Sequence, residues 1–187
     1  LIKKYGLESN DFFLAVGTIE PRKNYGTLLE AYKEYRQETE HYKKLCIAGG
    51  YGWLEQDFQN KIHSLGLEND VIVTGYVSEE ELSNLYRHCF AFIYPTWYEG
   101  FGLPVLEAMN FGKPVITSNV SSLPEVAGDA AMLCNPHYAR EYTDGMLRLE
   151  NDASFYAELS RKGIKQAEKF SWEKAARELL SLYEELA

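Results

Sequence analysis

The chain has 187 residues, 45% hydrophobic and 25% charged, and its 19 basic against 28 acidic side chains leave a formal net charge of −9. This composition excludes intrinsic disorder, which needs low hydrophobicity together with high charge. The acidic excess argues against a broad phosphate-backbone binder, no run of about 18 apolar residues is present to cross a bilayer, and no signal-peptide pattern opens the chain.

In chain order, Phe12-Phe13-Leu14-Ala15-Val16 is an apolar run that ends at Gly17 and reads as a buried strand. Asn24 is placed to cap a following helix in which Tyr25, Leu28, Leu29 and Tyr32 share one face. Leu45-Cys46-Ile47-Ala48 reads as a second strand closed by Gly49-Gly50, and an amphipathic stretch runs from about Leu54 to Leu65. Val71-Ile72-Val73 reads as the third strand. Ser78-Glu79-Glu80-Glu81 has the spacing of a capping box, opening a helix that buries Leu82, Leu85 and Tyr86. Phe90-Ala91-Phe92-Ile93-Tyr94 is the fourth strand, stopped by Pro95. Pro104 marks the first turn of the next helix, where a missing N–H is tolerated. Val115-Ile116 is the fifth strand, Ser122-Leu123-Pro124-Glu125 a second capping-box pattern, and Ala130-Ala131-Met132-Leu133 a sixth strand. From about residue 138 only helical patterns remain, broken near Phe170-Ser171. The last helix, capped by Ser171, has an apolar stripe of Trp172, Ala176, Leu179, Leu180 and Tyr183 that reads as buried.

Unbroken apolar strands alternating with helices predict one α/β domain over residues 1–187. It is a Rossmann-like parallel sheet of about six strands with helices on both faces and a helical C-terminal tail. Ligands of such sheets bind outside the carboxyl ends of the strands, which singles out the loops 17–24, 49–53, 75–78, 95–104 and 117–122. Cys46, Cys89 and Cys134 are odd in number, widely spaced and set in apolar runs, so buried free thiols are expected. The histidines do not cluster, and no metal site is expected.

Two of these loops carry chemistry. Gly17-Thr18-Ile19-Glu20-Pro21-Arg22-Lys23-Asn24 puts two cations at a strand end just before a helix N-terminus, suited to a diphosphate. Read blandly, they are an exposed charge pair. Pro95-Thr96-Trp97-Tyr98-Glu99-Gly100-Phe101-Gly102-Leu103-Pro104 flanks Phe101 with glycines and feeds a helix, offering Gly102, Leu103 and Val105 amides to an anion. Glu99 and Glu107 are separated by seven residues, and carboxylates suit sugar hydroxyls. The bland alternative is a solvated Glu107 and glycines that only turn the chain.

These two loops, with Ile47-Ala48-Gly49-Gly50, Val73-Thr74-Gly75-Tyr76-Val77 and Pro114-Val115-Ile116, resemble glycosyltransferase family four, the retaining group of GT-B architecture. Glu99-Gly-Phe-Gly-Leu-Pro-Val-Leu-Glu107 is similar to that family's signature of paired glutamates. The resemblance covers nearly the whole chain and implies the C-terminal, donor-binding half only, consistent with a chain that opens on Leu1 as a half cut from something longer. It implies that Glu99 contacts the transferred sugar and Glu107 the nucleotide's ribose. Phe101, Gly102 and Leu103 would hold sugar and phosphate through their amides, and Lys23 would neutralise the diphosphate. The base would lie against Tyr76 and Val77 near Gly49 and Gly50, flanked by Leu82. Many members have Arg directly after the first-strand Gly17. Here that place is Thr18, and Arg22 is the expected source of the second positive charge.

The resemblance further implies a nucleotide diphosphate leaving group stabilised by Lys23, Arg22 and a helix N-terminus, without a metal cofactor, since no Asp-x-Asp pair occurs. The acceptor and a catalytic His are expected from an N-terminal domain of the same polypeptide. The donor expected from family frequency is a UDP-hexose such as UDP-glucose, with GDP-mannose the alternative. A cytoplasmic location follows, with peripheral association of the full enzyme at the inner membrane face and no nucleic-acid partner. Two other classes stay open. One is a non-catalytic nucleotide-sugar-binding module. The other is a two-carboxylate glycosidase, in which the basic loop would have no role. A dinucleotide oxidoreductase is disfavoured because Glu55 stands where the third glycine after Gly50-Tyr51-Gly52 belongs.

Overall fold

The computed structural model describes residues 2–52 and 55–186. Trp53, with which the second informative loop ends, Leu54, the expected start of a helix, and Leu1 lie outside the described residues. Six strands, β1 (Phe12–Val16), β2 (Lys44–Ala48), β3 (Val71–Val73), β4 (Ala91–Tyr94), β5 (Val115–Ser118) and β6 (Met132–Cys134), form one parallel sheet in the order β3-β2-β1-β4-β5-β6. Every expected strand is present. Phe90 precedes β4 rather than opening it, and Ala130 and Ala131 precede β6.

The helices are α1 (Tyr25–Glu38), α2 (Glu55–Leu65), α3 (Glu79–His88), α4 (Leu103–Asn110), α5 (Leu123–Ala127), α6 (Ala139–Asn151), α7 (Ala153–Ala167) and α8 (Trp172–Leu186). Successive strand residues point to opposite faces, and both faces are apolar. Phe13, Ala15, Leu45 and Ile47 pack with Leu28, Tyr32 and Tyr35 of α1, Ile62 of α2 and Met146 of α6. Phe12, Leu14 and Cys46 pack with Leu85 of α3, Val105 and Met109 of α4 and Val126 of α5. All three cysteines are free and buried, and burial pushes each thiol up to about 12.

Three local expectations need correction. Asn24 precedes α1 but takes a left-handed conformation (φ 54°, ψ 33°), and its side chain makes no cap bond. Ser122 precedes α5 without a capping bond, because its hydroxyl is spent elsewhere. The capping box at Ser78 and Glu81 is present as expected. Asp152 interrupts the C-terminal helical region and caps α7 through Phe155 N–H at 2.9 Å.

The third correction concerns α8. Ser171 does cap it, accepting from Lys174 N–H at 3.1 Å, but every residue of α8 is exposed, Trp172 at 81% and Tyr183 at 61%. The stripe of Trp172, Ala176, Leu179, Leu180 and Tyr183 is therefore apolar without being core. Periodicity shows that a helix has an apolar face, not what covers it. Removing residues 172–187 should accordingly move the thermal midpoint by less than about 3 °C, since little burial is lost. A calorimetric shift well beyond that would show that the stripe is packed in solution.

Candidate functional site

Strand order reverses between β1 and β4, whose register pairs Phe13 with Ala91 and Leu14 with Phe92. The connections leaving these two strands diverge to opposite faces, opening a crevice at their carboxyl ends, where ligands of open α/β sheets bind. The two chemistry-bearing loops of the sequence leave these same strands.

Backbone and side-chain bonds lock them together. Trp97 N–H donates to Arg22 carbonyl at 2.9 Å, and Thr96 Oγ1 donates to the same oxygen at 2.8 Å. Asn24 Nδ2 donates to the carbonyls of Pro95 (2.9 Å) and Pro136 (2.8 Å), stapling the loops after β1, β4 and β6. The left-handed turn at Asn24 aims its amide inward, and Asn tolerates that turn better than most residues. Asn24→Ala strands two buried carbonyls and should destabilise the chain by about 2–3 kcal/mol, read by urea unfolding. A loss under about 0.5 kcal/mol would contradict this stapling role.

At the centre lies Glu99. Its Oε1 accepts from Arg22 Nη1 (2.6 Å), Lys23 Nζ (2.8 Å) and Tyr94 Oη (2.8 Å), with Thr96 Oγ1, whose proton is shared with the Arg22 carbonyl, 3.2 Å away. Burial by itself would raise the Glu99 pKa, but the bonds from Lys23 and Tyr94 and the charges of Lys23 and Arg22 outweigh it and hold the carboxyl below its ordinary range. The Lys23 and Glu99 side chains are 10% and 11% exposed, whereas Arg22 is 42% exposed and also pairs with Glu20 at 2.7 Å. Lys23 is thus the inner cation and Arg22 the outer one. Thr18 is exposed and carries no charge, so Arg22 is the second cation beside Glu99.

Gly17 and Gly49 make this geometry sterically feasible. A Cβ on Gly17 (φ 136°) would stand 2.9 Å from Lys23 Cε, and one on Gly49 would stand 2.1 Å from the Gly17 carbonyl oxygen. Gly17 N–H donates to Ala48 carbonyl and Ile19 N–H to Gly50 carbonyl, both at 2.9 Å. Gly49 and Gly50 therefore shape the first loop, a structural role beside the expected one in base binding.

Gly102 precedes α4 in a left-handed conformation (φ 108°). The backbone amides of Phe101, Gly102 and Leu103 donate to no acceptor among the described residues. Val105, offered as a donor by the sequence, is instead bonded to Gly102 carbonyl at 3.0 Å. The free amides at the N-terminus of α4 make an anion cradle beside Glu99. The loop is clamped by its neighbour: Glu99 N–H donates to Ser121 Oγ (3.0 Å), and Ser122 Oγ donates to the carbonyls of Glu99 (3.1 Å) and Phe101 (2.7 Å).

Glu107 lies on α4, exposed, and accepts from Tyr86 Oη of α3 at 2.9 Å. Tyr76 is 91% exposed after β3, while Val77 and Leu82 are half-buried against the core. Gly49 is bridged to Gly75, so the loop carrying Tyr76 borders the same edge. All the expected site residues thus lie along one edge of the sheet. The structure draws Arg22, Lys23 and Glu99 into direct contact, and leaves Tyr76, Val77 and Leu82 as a separate border.

Tyr94, Thr96, Asn24, Tyr86, Ser121 and Ser122 were not singled out as site residues from the sequence. Only the tyrosines carried a usable signal, since a buried phenol needs a partner for its hydroxyl. A cavity of about 420 Å³ lies elsewhere, beside edge strand β6. Its cations are already committed, Lys162 to Asp129 and Glu158, and Arg148 over the Phe155 ring.

The family described as Glycosyl transferases group 1 matches residues 1–170. O-antigen chain mannosyltransferase B of Escherichia coli is 38% identical over 98% of this chain and 48% of its own length. The serotype-specific mannosyltransferase WbdA of Escherichia coli is 36% identical over 92% of this chain and 21% of its own. Anabaena Alr3699/HepE, solved in complex with UDP and glucose, superposes with a TM-score of 0.87 at 20% identity, over 98% of this chain and 51% of that one, a likeness of fold. The chain spans about half the length, or less, of the curated relatives it matches. With a sheet-edge crevice of paired cations, a glutamate and free helix amides, and a family match that runs from residue 1 to residue 170, this chain belongs to the glycosyl transferases group 1 family.

Proposed function

We propose that this chain is the donor-binding half of a retaining glycosyltransferase, and that its donor is GDP-mannose. The observation that supports donor binding most directly is the convergence of Lys23, Arg22 and Glu99 beside the free amides of Phe101, Gly102 and Leu103. A diphosphate meets two cations and a helix N-terminus there, and a hexose beyond it meets a carboxylate. As the bond from sugar to phosphate breaks, negative charge grows on the leaving diphosphate. Lys23, Arg22 and the α4 amides are already oriented to stabilise it, which is electrostatic preorganisation and asks for no metal. Glu99, tied to two cations, orients sugar hydroxyls and does not act as a covalent nucleophile. Retention then implies attack from the face the leaving group departs.

The UDP-hexose expectation rested on family frequency. The relatives at 36–38% identity are mannosyltransferases by name, which favours GDP-mannose. The UDP and glucose complex of a structural neighbour keeps UDP-glucose as the second reading, at an identity that speaks only for the fold. Transfer itself requires an acceptor-binding domain supplying the other wall of the crevice. This agrees with relatives about twice as long. Peripheral membrane association would belong to that whole enzyme; among the described residues no helix is long and apolar enough to cross a membrane.

Titration calorimetry with GDP, GDP-mannose, UDP, UDP-glucose and free mannose tests the reading. GDP and GDP-mannose should bind more tightly than UDP and UDP-glucose, and free mannose not measurably. Tighter binding of UDP-glucose would shift the assignment to the second reading. Binding of free sugar without any nucleotide would point instead to a glycosidase-like site.

A further inference from the structure

The two motif glutamates are each held by a buried phenol, and the two phenols come from different elements. Tyr94 ends β4 and is 1% exposed, its ring stacked on Phe92 at 5.7 Å between centroids. Its hydroxyl accepts from Lys23 Nζ at 2.6 Å and stands 2.8 Å from Glu99 Oε1. A phenol has one proton. With a lone pair engaged by an ammonium, that proton points at the carboxylate.

Tyr86 lies in α3, 2% exposed, stacked on Phe111 (5.7 Å, interplanar 10°) and tilted against Phe92 (5.5 Å). Its hydroxyl donates to Glu107 Oε2 at 2.9 Å, and among the described residues the Glu107 carboxylate has no other partner. Burial first, and then the adjacent carboxylate, raise both phenols above their ordinary value, so both stay protonated donors near neutral pH. Neither phenol ring is open to a ligand, because both are enclosed by the core.

We infer that Tyr94 and Tyr86 are positioning residues, each aiming one glutamate at one end of the donor: Tyr94 sets Glu99 toward the transferred sugar, and Tyr86 sets Glu107 toward the ribose. This rests on the donor reading above. The physical gain is preorganisation. Glu107 without its phenol must be ordered when ligand arrives, and Glu99 without its phenol keeps its two cations but loses the bond that fixes the tilt of its carboxylate; ordering such a side chain costs up to about 0.5–1.5 kcal/mol, or roughly two- to twelvefold in affinity.

Two affinity ratios on the 187-residue chain separate the roles. GDP-mannose against GDP reads the sugar end, and GDP against 2′,3′-dideoxy-GDP reads the ribose hydroxyls. The uridine series replaces these if UDP binds more tightly. Tyr94→Phe keeps the ring and should cut the first ratio about fivefold while leaving the second unchanged. Tyr86→Phe should do the reverse. In a Glu99→Gln background, Tyr94→Phe should lower the first ratio no further. A merely structural role would move both ratios together or neither, and either result overturns the assignment for that tyrosine. Absence of nucleotide binding by the wild-type chain would instead overturn the donor reading, and this assignment with it. Wild-type binding with unmoved ratios in the variants would overturn the tyrosine roles alone.

Discussion

Lys23→Ala should weaken binding of GDP by roughly 10- to 100-fold, the value of a charge-assisted hydrogen bond of about 1.5–3 kcal/mol. Lys23 is the inner cation of the crevice, only 10% exposed in its side chain, and it is little screened there. Its removal takes a positive charge from the diphosphate and leaves Glu99 with Arg22 as its remaining charged partner. The carboxylate then opposes the incoming anion, so the two losses act in the same direction. Lys23→Arg should not restore binding. The lysine stem passes Gly17 so closely that an added Cβ there would stand 2.9 Å from Cε, and its ammonium fits between Tyr94 and Glu99. A branched, planar guanidinium does not match that slot. Calorimetric affinity within twofold of wild type for Lys23→Ala would remove Lys23 from the diphosphate site.

The second large effect is one of opposite signs. In the unliganded chain one oxygen of Glu99 already occupies both cations. Glu99→Gln frees them, so GDP should bind about threefold to tenfold more tightly, the scale of one charge-assisted hydrogen bond returned to the ligand. The preference for GDP-mannose over GDP should fall at least about tenfold, because a carboxylate accepts from paired sugar hydroxyls and the amide replaces one acceptor with a donor. Equal loss of both ligands would show that Glu99 acts only as a structural anchor.

The same substitution carries a pH signature. The folded-state pKa of Glu99 lies below its ordinary value, so its contribution to stability is fully present above the unfolded-state value, about 4.3, and is lost as pH falls through the lower folded value. Wild-type stability should therefore drop with acidification below about pH 4 more steeply than that of Glu99→Gln. At neutral pH the variant should be less stable by about 1–3 kcal/mol, because Lys23 is left buried without its counter-charge. Urea unfolding at a series of pH values reads both. Parallel curves for the two proteins would mean that Glu99 is not held as an anion.

The strands were legible because a parallel sheet covered on both faces makes its interior runs predominantly apolar. Phe12–Val16 is apolar at every position and Ala91–Tyr94 has only the terminal Tyr94 hydroxyl as a polar group, and turn residues bound both. The sheet-edge loops followed from that alternation, and the Glu99 to Glu107 spacing identified the one that matters. Capping was legible only where it was local. Ser78 and Glu81 need nothing but their own helix, and they form their box. Asn24 and Ser122 have equally suitable side chains, yet distant carbonyls set their orientation, those of Pro95 and Pro136 holding Asn24 Nδ2 and those of Glu99 and Phe101 holding the Ser122 hydroxyl, while Asn24 Oδ1 accepts from Thr27 Oγ1 and not from a cap amide.

By itself the sequence determined the class of fold, the identity of the cationic loop and the paired glutamates, since these depend on residue type and spacing along one segment. Only the tertiary structure decided which of those groups meet. Pairing β1 with β4 brings together segments more than 70 residues apart, so that Arg22, Lys23, Tyr94 and Thr96 converge on a single carboxylate oxygen. The same separation explains α8. Its stripe is written in a 3.6-residue period, but a period specifies a face and not a partner, and among the described residues the face of Trp172 and Tyr183 is left exposed.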